Sequence, residues 1–152
     1  MKKIYLLFII FILLLTSCTN KNDNIITNDN IKEEENEMEL VLKIDDSILN
    51  VNWENNESVN DLKALAKDGL TIHMNEYGGF EQTGSIGKSI KRNDSNINVI
   101  PGDIVLYNGN AISVFYNPSS WSYTMLGHIN LNQDELKSLL NKSSVTFKLE
   151  IE

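Results

Sequence analysis

The stretch His73–Lys91, HMNEYGGFEQTGSIGKSIK, gathers the side chains of this chain that are best suited to hold a ligand. It sets Tyr77 and Phe80 as apolar surface beside Glu76 and Glu81, with Gly78, Gly79, Gly84 and Gly87 between and after them. Too Gly-rich for a helix and too broken for one regular strand, it reads as a shaped loop held by a rigid scaffold, where function is commonly carried. The candidate pocket lies where this loop meets the Arg92–Asp94 turn and the loop at 117–123. Tyr77 and Phe80 form its wall, Glu76 and Arg92 orient a ligand, Asn75 and Asn93 offer amide hydrogen bonds, and Trp121 and Tyr123 complete it. Aromatics with a few placed polar groups are what ligand pockets require. Each residue also has a plainer reading. Tyr77 and Phe80 could cover a β wall, Gly78-Gly79 could supply positive φ at a bend, Arg92 could pair structurally with Glu76 or Asp94, and Trp121 could plug one end of the fold.

Other chemistries find little support. His73 and His128 are far apart and lack ligand-like spacing, and one cysteine cannot make an internal disulfide or a zinc site. No Ser-His-Asp set or paired acid stands out, and Glu76 with Glu81 is too weak a signal for glycosidase chemistry. No catalytic residue, metal or cofactor is therefore assigned. The formal net charge is -8. Arg92 is the only arginine, and no basic stripe offsets the acidity, which argues against nucleic acid as a partner.

The elements that must position such a pocket follow a leader and a tether. Met1-Lys2-Lys3 precedes the apolar run Ile4–Leu15, the layout of a secretory signal and too short for a permanent span. Leu15-Thr16-Ser17-Cys18 resembles the bacterial lipobox, which implies removal of residues 1–17 and a diacylglyceryl group on Cys18. Two or three acyl chains, at about 0.8 kcal/mol per buried methylene, anchor a protein stably. The expected location is the extracytoplasmic side of a membrane, with membrane lipid as a partner. Residues 18–37 are rich in Asn, Asp and Glu and poor in apolar side chains, the composition of a flexible tether reaching roughly 25 Å as a coil.

Residues 38–152 read as one domain. Met38–Ile44 and Ile48–Trp53 alternate about the turn signal Asp45-Asp46 and predict a hairpin. Between Asn55 and Asp68 the period becomes helical, with Val59, Leu62, Leu65 and Ala66 on one face, Asn56 or Ser58 as N-cap and Gly69 as the stop. Leu70–Met74 is a short strand leading into the opening stretch. Arg92–Asn96 is a turn cluster, Ile97–Ile100 a short strand and Pro101-Gly102-Asp103 a tight turn. Ile104–Tyr107 and Ala111–Tyr116 flank Asn108-Gly109-Asn110, the strongest hairpin signal. Trp121–Ile129 is a strand interrupted near Gly127. Asn132 and Glu135 form a capping box for a helix over Gln133–Leu140 with Leu136, Leu139 and Leu140 inward. Ser144–Ile151 closes with Val145, Phe147, Leu149 and Ile151 toward the core. Seven or eight short strands and two short helices predict a mainly β protein, a closed barrel whose first and last strands pair and whose ends the helices cap.

The segments MNEYGGFEQTGSIGKSI (Met74–Ile90), RND (Arg92–Asp94) and PGDIVLYNGNAISVFYNPSSWSYTMLGHI (Pro101–Ile129) resemble the bacterial cyclophilin-like domain family. The resemblance spans essentially all of residues 38–152 and implies a closed cyclophilin-like β-barrel of about eight strands with two capping helices. Cyclophilins rotate X–Pro bonds, whose barrier is about 18–20 kcal/mol, using an apolar pocket and an arginine near the prolyl nitrogen. The Phe-His-Arg motif of those enzymes is not present here, and Arg92 sits in RND. A non-catalytic module that binds a peptide or small molecule is the leading expectation, with peptidyl-prolyl isomerisation as the alternative and a structural domain that docks another envelope protein as a third reading.

Overall fold

A computed structural model describes residues 38–152. The leader, Cys18 and the tether lie outside the described residues. Ten strands and two helices are present: β1 (Leu40–Ile44), β2 (Ser47–Leu49), β3 (Val51–Trp53), α1 (Glu57–Ala66), β4 (Leu70–Tyr77), β5 (Glu81–Ser85), β6 (Ser95–Val99), β7 (Asp103–Tyr107), β8 (Ala111–Phe115), β9 (Ser119–Ile129), α2 (Gln133–Leu140) and β10 (Ser144–Ile151). Nine strands run in the order β2-β1-β10-β4-β5-β8-β7-β9-β3, and β6 pairs with β9 outside that path. All pairings are antiparallel. The two ends of the path, β2 and β3, flank Asn50 on one extended segment. The barrel is thus nearly closed by the chain itself, and β2–β3 acts as one bent stave.

That geometry corrects the first hairpin. Only β2 returns along β1, with Leu42 opposite Leu49. Past Asn50 the chain leaves for β9, where Val51 faces Ile129. The indole N–H of Trp53 donates to the Leu40 carbonyl at 2.7 Å, tying the two halves. The first and last strands do pair, Leu40 opposite Ile151.

The stretch 73–91 is a loop only from Ile86 onward; before that it is a hairpin. β4 continues through His73 to Tyr77, turns at Gly78-Gly79 and returns as β5. Gly78 and Gly79 have φ of +66° and +76°, and the Phe80 N–H donates to the Tyr77 carbonyl at 3.3 Å. Consecutive left-handed residues match the twist of a hairpin, so two glycines there define a turn between regular strands. Asn108 and Gly109 do the same between β7 and β8, with φ of +50° and +76°. Gly84 lets β5 run close to β4, since a Cβ there would lie 2.7 Å from the His73 carbonyl oxygen. β6 begins at Ser95, two residues earlier than the apolar pattern suggests. The irregularity near Gly127 is a bulge: Ile104 faces Gly127 and Val105 faces Met125, leaving Leu126 as the extra residue.

The barrel interior is filled by alternating residues such as Leu42, Ile72, Met74, Ile112, Val114 and Phe147, joined by Val59, Leu62 and Ala66 of α1 and Leu136 and Leu140 of α2. Leu139 and Ile151 pack at its edge. The Asn132–Glu135 capping box forms on α2. The buried Gln82 amide donates to the carbonyls of Leu140 and Lys142 at 2.7 and 2.6 Å, satisfying the end of that helix. A smaller cluster, Val99, Val105, Phe115 and Tyr123, lies on the other face of the sheet. β7 is therefore apolar on both faces, Ile104 and Leu106 inward and Val105 outward.

Asn56 caps α1 by accepting from the Val59 N–H at 2.9 Å and also donates to the Met125 carbonyl on β9 at 2.9 Å. Asn56→Ala loses both bonds and should cost about 1–2 kcal/mol, read as a lowered urea midpoint with an unchanged m-value.

Candidate functional site

Cross-strand partners share a face, so the barrel register decides what meets outside it. Tyr77 pairs with Glu81, Glu81 with Phe115, and Thr83 with Ser113. Across β8, Val105 faces Ser113, and Val105 then faces Met125 of β9. The outer face of β5, β8, β7 and β9 thus carries Glu81, Thr83, Ser113 and Phe115 in its middle. β9 extends past the sheet to pair with β6, Ser95 opposite Tyr123 and Ile97 opposite Trp121, and this overhang raises a wall. Between the wall and the Gly78-Gly79 turn lies an open cavity of about 520 Å³ lined by Tyr77, Phe80, Glu81, Thr83, Tyr107, Ser113, Ser119, Ser120, Trp121 and Tyr123.

The aromatic rings form a connected series. Tyr77 meets Phe80 edge-on at 6.0 Å between centroids, and Phe80 stacks near-parallel with Phe115 at 6.2 Å. Phe115 then meets Tyr123 at 5.7 Å, and Tyr123 meets Tyr107 at 6.0 Å. Such pairs each add about 0.5–1.5 kcal/mol beyond buried area, enough to hold the floor in one shape. The rim is different: Tyr77 and Trp121 are 62% and 60% exposed and available to a partner.

Four of the eight residues that the sequence nominated, Tyr77, Phe80, Trp121 and Tyr123, line this cavity together. Asn75, Glu76, Arg92 and Asn93 do not line it. Asn75 is an exposed residue in the β4 ladder, opposite Thr83 and Ser144. Glu76 accepts from the Gly79 N–H at 2.5 Å and the Tyr116 hydroxyl at 3.2 Å, fixing the hairpin turn. The Arg92 guanidinium is paired with Asp94 at 3.5 Å. Asp94 accepts from the Thr124 hydroxyl at 2.7 Å, and that oxygen accepts from the Asn93 N–H at 2.8 Å. These groups together fasten the segment that enters β6.

Sequence reasoning passed over Glu81, Tyr107, Thr83 and Ser113. The signal for Glu81 was its place beside Phe80, just after the paired glycines that set the hairpin register. Glu81 is only 7% exposed, and its Oε2 is buried with no hydrogen-bond partner among the described residues. Burial pushes its pKa up, and the nearby Ser113 hydroxyl draws it partly back. That hydroxyl also lies 2.9 Å from Thr83 Oγ1, so its single proton cannot serve both. Burial, then the charge of Glu81, push the Tyr123 phenol up.

A second polar pair, His128 Nδ1 and Asp103 Oδ1 at 2.8 Å, joins β7 to β9 away from the cavity. Asp103 also accepts from the Ile100 N–H at 2.9 Å, which fastens the Pro101-Gly102 turn. No cluster of three or more His, Cys, Asp or Glu among the described residues is placed to hold a metal.

A carboxyl whose folded pKa is raised binds its proton more tightly in the folded than in the unfolded state. Its ionisation lowers stability as pH rises from the ordinary Glu range through the raised value. Glu81→Gln removes that term. The variant should gain stability over the native protein at about pH 7 and lose most of the advantage near pH 3, where glutamates are protonated in both states. Paired denaturation curves at the two pH values measure this.

Comparison with known proteins accords with this architecture. No match was found among curated proteins or among solved structures. The model of the Cyclophilin-like family matches residues 42–152, a span that contains every cavity residue and every strand but the first two residues of β1. The outer-face cavity is accordingly a feature of a chain that belongs to the cyclophilin-like family.

Proposed function

We propose that this protein is a lipid-anchored, extracytoplasmic binding module that holds a peptide or small molecule in the aromatic cavity without catalysing a reaction on it. The observation that carries the reading is the cavity itself. Four aromatic residues picked out by sequence converge on it, two of them exposed at the rim, over a floor of packed rings. Its volume falls in the usual range for small-molecule sites, about 300–1,000 Å³. The lipobox-like Cys18 and the polar tether would hold the domain near a membrane while leaving this face free to meet a ligand or another envelope protein. Among the described residues no helix is long and apolar enough to cross a membrane.

Prolyl isomerisation, the alternative, asks for an arginine at the pocket to weaken amide resonance. Among the described residues that line the cavity none is Lys or Arg, and the Arg92 guanidinium is engaged with Asp94. The binding reading therefore predicts no acceleration in a proline-peptide isomerisation assay at high protein concentration.

Two measurements test the proposal. A panel of peptides and metabolites should include compounds that raise the melting temperature. Trp121→Ala should abolish that rise while changing unliganded stability by less than about 0.5 kcal/mol, as expected for an exposed side chain; Tyr77→Ala should abolish it too, at an added cost of about 0.5–1.5 kcal/mol for the lost Phe80 contact. A panel that shifts nothing would overturn the reading. For the anchor, Cys18→Ala should lose incorporation of radiolabelled palmitate and either leave the membrane fraction or keep residues 1–17 uncleaved, and a labelled variant would refute it.

A further inference from the structure

The ligand class follows from what the cavity offers, given the reading of that cavity as a binding site. Five of its lining residues are aromatic: Tyr77, Phe80, Tyr107, Trp121 and Tyr123. The faces of such rings carry negative quadrupole potential and attract cations. Among them sits one ionisable acid, Glu81, more than nine-tenths buried, with an oxygen that no described residue satisfies. No basic side chain among the described lining residues answers it. An anionic ligand would meet a carboxyl and ring faces with nothing to neutralise its charge. A neutral apolar ligand would remove more water from Glu81 and leave the unpaired oxygen unpaired, a costly arrangement. A cation uses both features at once. The cavity is also far larger than a bare metal ion needs, and its other polar groups include the hydroxyls of Thr83, Ser113, Ser119 and Ser120, which can accept from N–H donors.

We propose that the cavity selects an organic cation, an ammonium or guanidinium head held over the aromatic rings with Glu81 as its counter-ion. The head could belong to a free amine or to a basic side chain of a peptide; the recognising chemistry is the same. The acidity of the chain, net -8, favours approach of such ligands.

Protonation is linked to this binding. Burial raises the Glu81 pKa in the empty cavity, and a bound cation favours the carboxylate form. Affinity for a permanently charged cation is full above that raised pKa and declines as pH falls through it. From β4, β7 and β9 the other titratable groups facing the cavity are the phenols of Tyr77, Tyr107 and Tyr123, which carry no positive charge at any pH. β8 presents only the Ser113 hydroxyl. Glu76 is turned toward the Gly79 N–H and Tyr116.

The test uses choline and its neutral isostere 3,3-dimethylbutan-1-ol, titrated into the full-length protein in a non-ionic maltoside detergent. The Trp121 indole N–H resonance reports binding. Acetyl-Gly-Lys-Gly amide and its norleucine counterpart form a second pair, which separates a peptide side chain from a small free cation as the source of the head and adds an N–H donor that choline lacks. The expected result is a preference of roughly tenfold or more for the charged member of at least one pair at pH 7.5. That preference should collapse in Glu81→Gln, checked as folded by its melting curve. It should also weaken in the native protein as pH is lowered, although the charge on choline does not change. Equal binding of charged and neutral members, or a preference that survives Glu81→Gln, would overturn cation selection while leaving the cavity a binding site. Failure of every probe, including the broader panel of peptides and metabolites, would overturn both.

Discussion

The fold depends on one stretch of backbone that serves two edges of the same sheet. An open sheet would leave unpaired N–H and C=O groups along β1 and β9. The segment around Asn50 removes both edges by pairing with β1 on one side of the residue and with β9 on the other. The Asn130 N–H donates to the Asn50 carbonyl at 2.9 Å, so even the bend keeps a partner. Closure of this kind tolerates no slip. A one-residue shift at either seam would turn Leu42 or Ile129, and every residue in register with them, from the interior to solvent. The seam thus fixes which side chains of β5, β7, β8 and β9 point outward, and with them the cavity.

Once the interior is sealed, the outer face has its own packing problem. Val105, Phe115 and Tyr123 point away from the barrel and would be wet but for β6, which lies across β9 and brings Val99 and Ile97 over them. β6 is too short to cover the whole face, and what it leaves open is the cavity. Glu81 lies at that boundary. The surrounding rings deprive it of water, and only hydroxyls remain to soften the loss, so a group that the fold does not require is held in a place that the fold disfavours. The more conservative arrangement, an amide or an apolar residue, would pack there without an ionisation cost. A carboxyl in that position is easier to understand as chemistry than as architecture.

The sequence announced its strands and helices clearly, and its closure poorly. Period-2 alternation marks β1 and β10 and even their pairing, and the Asn132–Glu135 spacing marks α2 to the residue. Those signals are local. The split of 47–53 between two neighbours is not, because Leu49, Val51 and Trp53 alternate smoothly and nothing in their types says that Asn50 changes partner. β7 was legible as a strand, but its two-sided burial showed only as an unbroken Ile-Val-Leu run, which fits a core strand of any topology. Four aromatics of the cavity were legible because rings beside loop signals are natural pocket walls, although only Tyr77 and Trp121 are exposed and Tyr123 is buried. Tyr107 ends a strand beside the Asn108-Gly109 turn, so its local pattern signals a hairpin and gives no sign of the cavity.

The two carboxylates of the β4–β5 hairpin show how little separates a structural group from a chemical one. Glu76 and Glu81 stand on either side of the same turn, and composition cannot tell them apart. Parity can. With Gly78 and Gly79 both at positive φ, the turn is fixed and Tyr77 must face Glu81 while Glu76 faces Gln82. Gln82 points into the barrel, so Glu76 is directed to that side, where the turn N–H and the Tyr116 hydroxyl satisfy it. Tyr77 points out, and Glu81 goes with it, into the aromatic face and away from any such partners. Moving the turn by a single residue would exchange these surroundings. The chemistry available to the cavity is therefore set by the position of two glycines, which decide which acid faces it.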